Sequence, residues 1–156
     1  MEDNDDQKQN LFSWSDEMSV GNSVIDADHK AFLDLANLLT LWSSKADETI
    51  IESAITILEE YVRGHFFREE KAMKAMGYKD YVGHHLRHEH FKARIAAIVK
   101  LYREGTRSAA HGLSELVGTW LIKHIKNDDQ DCKDCFRTSV VDDRPLAFLA
   151  LEADQG

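Results

Sequence analysis

Apolar residues recur every three or four positions along most of the chain, which is typical of helices with one buried face. Four such segments follow one another, and they predict helices over about residues 26–44, 47–76, 80–103 and 108–127. Asp47 and Ser108 are expected to cap the second and fourth helices, while Gly77 and Gly105 are expected to end the second and third. The predicted fold class is all-α, an antiparallel up-down-up-down four-helix bundle.

The two ends of the chain depart from this pattern. Residues 1–10 are acidic and polar, and we expect a disordered tail there. Residues 11–131 are predicted to form the bundle, with an N-terminal arm that carries Phe12, Trp14 and Met18. Residues 132–156 are predicted to be a C-terminal extension, in which Pro145 begins a short apolar helix. We expect that helix to dock either on the bundle or on another subunit.

Composition narrows the classes of function. A chain of 156 residues can bury the core of one domain. Its formal charge of −9 disfavours nucleic acid and anionic membrane as partners, because both require a basic face. No apolar run approaches the roughly 20 residues of a membrane span, and the acidic N-terminus does not look like a signal peptide. We therefore expect a cytoplasmic protein whose cysteines are reduced.

Histidines lie on the apolar stripes of all four predicted helices, together with one glutamate. These inward-facing positions are His29, His65, Glu69, His84, His88 and His124. Two pairs in the set are four residues apart and so share a helix face. These histidines lie near the start of the first and third helices and near the end of the second and fourth. In an up-down-up-down bundle they therefore lie at the same height, at one end of the bundle. The remaining histidines, His85, His90 and His111, are expected on the solvent side.

A carboxylate on an apolar stripe is costly unless it is paired or binds a metal. Glu69 has no lysine or arginine at a suitable spacing on its own face, whereas a bridge between two cations would satisfy it. Asp129, just past the predicted end of the fourth helix, is expected to turn back as a second bridge. A single inward histidine is usually a hydrogen-bonded core residue. Five inward histidines at the same height in the bundle, together with a carboxylate, favour a metal site.

The number of donors indicates more than one metal ion. Five imidazoles and two carboxylates exceed the four ligands of a structural zinc site, so they fit two metal ions. Imidazole and carboxylate suit iron, zinc, copper or nickel, so the donor types leave the metal open.

With these residues in place, the chain resembles the hemerythrins, specifically the single-domain bacteriohemerythrins, from about Trp14 to Asp129. The resemblance rests on the segments IDADHK, HFFREE, HHLRHEHF and WLIKHIKNDD and on the gaps between them. It implies two non-haem iron ions that are bridged by two carboxylates and an oxo or hydroxo group. The implied metal ligands are His29, His65, Glu69, His84, His88, His124 and Asp129.

The resemblance also implies that the two irons are held unequally. His84, His88 and His124 would complete one iron, whereas His29 and His65 would leave an open position on the other. That position implies reversible O2 binding, for oxygen storage, transport or sensing. Apolar walls are expected to keep water out of the pocket, and the candidate walls, for which ordinary core packing is the alternative interpretation, are Ile25, Trp120 and Leu121.

Two other classes of function stay open. One is a di-iron oxidoreductase acting on O2, peroxide or nitric oxide, although no acid–base relay is found among the inward residues and no catalytic residue is predicted. The other is an iron- or O2-responsive interaction module that acts through a homo-oligomer or an unknown protein partner at the extension. Cys132 and Cys135 in that extension have three possible interpretations, a redox pair, a metal site or two inert thiols.

Overall fold

The structure, a computed structural model, describes residues 12–43, 45, 47–137 and 140–155. Its long helices are α1 (Ser23–Trp42), α2 (Glu48–Ala75), α3 (Tyr81–Arg103) and α4 (Ala109–His124). Helix α1 packs against α2 and α4, and α3 packs against the same two helices. The predicted four-helix bundle is therefore confirmed. The tail predicted for residues 1–10 lies outside the described residues.

Local hydrogen bonds explain where the helices begin and end. Asn22 caps α1, because its side-chain Oδ1 accepts a hydrogen bond from the backbone N–H of Val24 at 2.9 Å. This helix therefore begins earlier than predicted. Asp47 caps α2 as predicted, by accepting the amide of Ile50 at 3.0 Å. Gly77 follows α2 with a φ of +64°, the left-handed conformation that glycine adopts without strain. Ser108 lies at the predicted N-cap position of α4, but its side chain makes no capping hydrogen bond among the described residues.

The end of the fourth helix also differs from the prediction. The chain continues past His124 as a π-helical turn over Ile125–Asp129 instead of ending near residue 127. In a π turn the backbone hydrogen bonds join residues five apart. The wider turn therefore brings Asp129 back over the face that carries His124.

The N-terminal arm crosses the bundle before α1 begins. Asn37 on α1 accepts the amide of Phe12 at 3.2 Å and donates to its carbonyl at 2.8 Å. The Phe12 ring lies against Gly118 of α4, where a Cβ would come within 2.4 Å of it. Met18 is buried and Trp14 is half-buried. The expected N-terminal arm is thus present.

The C-terminal extension docks on the bundle of its own chain. It contains a short helix α5 (Lys133–Phe136) and a longer helix α6 (Leu146–Asp154) that lies along α2. Leu149 and Ala150 of α6 are buried, whereas Phe148 and Leu151 on the other face are exposed. Of the two docking sites expected from the sequence, the structure therefore has the one on the bundle.

Two apolar clusters divide the interior. The larger cluster fills most of the bundle and includes Phe32, Phe66 and Phe91. The smaller one lies toward α5 and includes Ile25 and Met73. Along α1, α2 and α3 the chain passes from one cluster to the other through a layer of buried histidines. None of the helices in the described part of the chain has the length and apolar character needed to cross a bilayer.

Candidate metal centre

The structure brings together all seven residues that the sequence singled out. They form the histidine layer between the two apolar clusters, and each has an exposed fraction of 2% or less. Their donor atoms make two groups, and within each group the atoms lie within 4.8 Å of one another. The larger group contains Glu69, His84, His88, His124 and Asp129, and the smaller contains His29, His65 and Glu69.

The two carboxylates connect these groups. Asp129 Oδ1 lies 3.3 Å from His84 Nε2 and 3.1 Å from His124 Nε2. Its other oxygen, Oδ2, lies 3.2 Å from His29 Nε2. Glu69 Oε1 lies 2.6 Å from Nε2 of His65. Glu69 belongs to both groups, and Asp129 turns one oxygen toward each, so both carboxylates are placed to bridge two cations.

The polar atoms at the centre lack the hydrogen bonds that buried groups normally make. Among the residues that the structure describes, no hydrogen-bond partner reaches these inward atoms, which are Nε2 of His29, His65 and His84 and both carboxylate oxygens of Glu69 and Asp129. Several of these nitrogens and oxygens are close to one another, but not in hydrogen-bond geometry. Buried polar groups are rarely left unsatisfied, because each one costs about 1–3 kcal/mol. Cations between them would satisfy the whole set, so these residues fit a pair of imidazole- and carboxylate-bound metal ions.

The charges of the centre are strongly coupled. Burial lowers the pKa of His65, but the neighbouring carboxylates of Glu69 and Asp28 outweigh burial and raise it to about 10. Burial likewise opposes the effect of Asp129 on His124, whose pKa is also raised to about 10. Burial and the neighbouring histidines hold the pKa of His88 well below its usual value. The protein thus concentrates carboxylate charge where cations would be bound.

Three inward histidines are held from behind by carboxylates that the sequence reasoning did not select. The pairs, each measured from Nδ1 to the nearest carboxylate oxygen, are His65–Asp28 at 2.8 Å, His88–Glu70 at 2.9 Å and His124–Asp128 at 2.7 Å. A carboxylate on Nδ1 fixes the ring so that Nε2 faces the centre, as it commonly does for metal-bound histidine.

Only one of these three carboxylates carried a usable sequence signal. Asp128 is four residues after His124, a spacing that places both on one helix face. Glu70 and Asp28 reach their histidines across helices, so spacing along one helix could not reveal them. The structure also separates two adjacent candidates: Asp129 faces the centre, and Asp128 lies behind a histidine.

The histidines expected on the solvent side behave differently from one another. His90 and His111 are exposed, as predicted. The side chain of His85 is 39% exposed, but its Nδ1 contacts Glu70, and its ring stacks on Tyr81. His85 is therefore part of the support around Glu70 and not simply a solvated residue.

Aromatic rings cover the side of the layer that faces the larger cluster. Phe66 stacks on His88 with ring centroids 3.7 Å apart, and Trp120 stacks on His124 at 4.3 Å. Phe32 meets His65 edge-on at 5.3 Å. Phe32 and Phe66 are not among the walls that the sequence predicts.

The three predicted walls lie in different surroundings. Trp120 contacts a histidine of the layer, and Leu121 is buried in the larger cluster. Ile25 belongs to the smaller cluster, on the other side of the layer. Their role as walls of an O2 pocket stays a prediction.

The two cysteines lie beside the layer in the smaller cluster. The Cys132 thiol donates to the carbonyl of Asp128 at 3.4 Å, and its sulfur is 3.8 Å from Nδ1 of His84. Burial raises the pKa of both thiols, and nearby carboxylates act in the same direction. A protonated thiol is a poor nucleophile. The redox interpretation stays a prediction, and the raised pKa favours the inert alternative.

Comparison with known proteins places this centre in a family. Residues 20–134 match the family model described as the hemerythrin HHE cation binding domain. The chain belongs to the hemerythrin family. The resemblance carried by the four sequence segments is thereby confirmed. The hemerythrin match ends within α5, so the rest of the C-terminal extension lies beyond it.

Individual hemerythrins cover most of the chain. The bacteriohemerythrin of Pseudomonas paraeruginosa is 32% identical over 127 residues, which are 81% of this chain and 82% of that protein. The bacteriohemerythrin of Clostridium acetobutylicum is 29% identical over 128 residues, which are 78% of this chain and 98% of that protein. A crystal structure of wild-type hemerythrin superposes with a TM-score of 0.75 at 26% identity, over 82% of this chain and 99% of the other.

Proposed function

We propose that this chain binds O2 reversibly at a non-haem di-iron centre, for oxygen storage, transport or sensing. The observation that carries the proposal is the pair of donor groups that share Glu69 and differ in size. The larger group contributes three histidines, and the smaller contributes two. Two metal ions held in this way would have unequal numbers of protein ligands, and an open coordination position on the ion with fewer ligands would suit a gas ligand.

The proposed ligands are the seven residues of the histidine layer. His84, His88 and His124 would hold one iron, and His29 and His65 would hold the other. The two carboxylates would bridge the pair and offset part of its charge. Bound iron would supply the coordination of O2 and the electrons for its reversible reduction.

The surroundings of the centre support binding over turnover. The rings of Phe32, Phe66 and Trp120 exclude water from the side that faces the larger cluster. The carboxylates on Nδ1 keep the histidine rings in place, so that little rearrangement accompanies the binding of metal.

Membership of the hemerythrin family supports the same proposal of reversible O2 binding. Cytoplasmic location and a homo-oligomer or protein partner remain predictions.

Anaerobic reconstitution with ferrous iron followed by stopped-flow mixing with O2 tests this function. We expect about two irons per chain and a coloured species that disappears when O2 is removed under vacuum. Rapid irreversible oxidation, or steady turnover with an added reductant, would support the oxidoreductase alternative instead. The exposed-site variant His111→Gln serves as the control and should bind O2 like the unmodified chain.

A further inference from the structure

A buried arginine lies between the histidine layer and the C-terminal extension. Arg68 is only 2% exposed, although it is on α2 one residue before the proposed bridge Glu69. Its Nε donates to the carbonyl of Asp142 at 2.8 Å, and its Nη2 donates to the carbonyl of Arg144. Its Nη1 donates to the carboxylate of Asp28. A buried guanidinium needs such partners, because an unpaired buried charge is strongly destabilising.

The extension is seated on the same face of α2 that carries this arginine. We call residues 140–155 the C-terminal segment. Its Leu146 carbonyl lies so close to Gly64 that a Cβ there would be 2.4 Å from the oxygen. The carboxylate of Asp142 accepts a hydrogen bond from Lys71 at 2.9 Å. Positions 64, 68 and 71 follow one another along one helix face, so the segment is held at three successive points.

The third contact of Arg68 leads into the centre. The same oxygen of Asp28, Oδ2, accepts from Arg68 and lies 2.8 Å from Nδ1 of His65. His65 belongs to the smaller donor group. Unbroken contacts therefore run from the backbone of the C-terminal segment through Arg68 and Asp28 to a proposed metal ligand.

The supports of the larger donor group have other partners. Glu70, behind His88, also contacts His85 on α3. Asp128, behind His124, pairs with Arg87 on α3 at 3.2 Å. Among the described residues, the hydrogen bonds of Arg68 thus lead to His65 of the smaller group, whereas the carboxylates behind His88 and His124 do not contact Arg68.

We propose that Arg68 is a positioning residue through which the C-terminal segment holds His65 in place, so that docking of this segment sets the metal affinity of the smaller donor group. This inference rests on the proposed function, since it takes the two donor groups to be metal sites. It assigns a role to a segment that lies beyond the hemerythrin match.

Cadmium NMR of the full-length chain loaded with Cd²⁺ tests the inference, because each bound ion gives its own resonance. The Arg68→Met variant removes all three donor contacts. The Gly64→Ala variant keeps every polar partner but forces its Cβ against Leu146. Gly112→Ala is the matched control, because a Cβ at that helical glycine would meet no atom of the described residues within 4 Å. Circular dichroism and thermal melting establish that each variant is folded.

We expect both test variants to shift one cadmium resonance and to weaken binding at that site by up to about 10-fold, because both keep Asp28, whose own loss behind a histidine ligand would weaken binding by about 10- to 100-fold. The other resonance and the control should be unchanged. Arg68→Lys keeps the charge with fewer donors, so its cadmium affinity at that site should lie between those of Arg68→Met and the unmodified chain. If Arg68→Met does not fold, Gly64→Ala and Arg68→Lys give the result.

Several outcomes would overturn the inference. Equal effects on both resonances would mean that Arg68 supports the fold in general. A Gly64→Ala variant that behaves like Gly112→Ala would show that the C-terminal segment is not coupled to the centre. Fewer than two cadmium ions in the unmodified chain would overturn both this inference and the proposed function. A site-selective cadmium effect without reversible O2 binding would overturn the proposed function alone.

Discussion

Asp128 and Asp129 are neighbours in the chain but contact different parts of the centre. Asp129 turns one oxygen toward each donor group, and Asp128 holds the outer nitrogen of His124. The sequence indicated a carboxylate here, because aspartates follow a histidine at the end of the fourth helix. Helical spacing could not decide between the two, because the direction of each side chain depends on the π turn, and the choice of Asp129 rests mostly on the family resemblance.

The two aspartates should respond differently to the same substitution. Asp129→Asn removes a proposed bridge, so we expect loss of at least one metal ion per chain. Asp128→Asn removes only a partner of His124, so both ions should remain, with affinity reduced by about 10- to 100-fold. Metal analysis after anaerobic dialysis against ferrous iron measures both effects. Equal losses in the two variants would contradict the assignment of Asp129 as the bridge.

Phe66 is one of the aromatic rings that cover the histidine layer. Phe66 is 2% exposed and stacks on His88. Phe66→Ala should lower the free energy of unfolding by about 3–5 kcal/mol, because it leaves a cavity in the core. It should also speed the oxidation of the proposed oxy form by admitting water. Phe148→Ala at an exposed aromatic is the control and should change stability by no more than about 0.5 kcal/mol. A mild effect at Phe66 in urea unfolding would argue against its role in the wall.

At the scale of elements, the four long helices were predictable because their signals are local. Apolar spacing marks each buried face, Asp47 caps α2, and Gly77 supplies the positive φ that ends it. The end of α4 was not predictable. Nothing in the sequence of Ile125–Asp129 distinguishes a π turn from an ordinary helical turn or a loop.

The docking of the C-terminal segment was only half predictable. Pro145 and the apolar residues after it indicate a short helix, which the structure confirms as α6. The receiving surface has no comparable pattern. Gly64 and Arg68 look like ordinary positions of a long helix until a backbone carbonyl is placed against each one.

The docking of this segment should depend on pH. Hydrogen bonds from Arg144 and Lys71 lower the pKa of Asp142 below its usual value. The stabilisation is therefore fully present above the ordinary aspartate pKa of about 3.8 and is lost as pH falls through the lowered one. Asp142→Asn should reduce stability by at most about 1 kcal/mol at neutral pH. Urea unfolding at a series of pH values should show that the free energies of unfolding of the variant and the unmodified chain become equal in acid. A difference between them that stays constant with pH would contradict the ion pair.

At the scale of the whole molecule, the centre is a polar layer between two apolar clusters. Each long helix contributes at least one histidine to this layer, and α2 adds Glu69. The sequence indicated this arrangement because an antiparallel bundle fixes which ends of its helices meet. It could not give the carboxylates Asp28 and Glu70, whose contacts with histidines cross between helices.

Iron content together with reversible O2 binding is the most direct test of the central claim. The chain, reconstituted without oxygen, should hold about two irons and form a coloured complex with O2 that disappears under vacuum and returns on exposure to air through repeated cycles. A chain that holds one metal ion, or that forms no reversible complex with O2 when fully loaded with iron, would contradict the account.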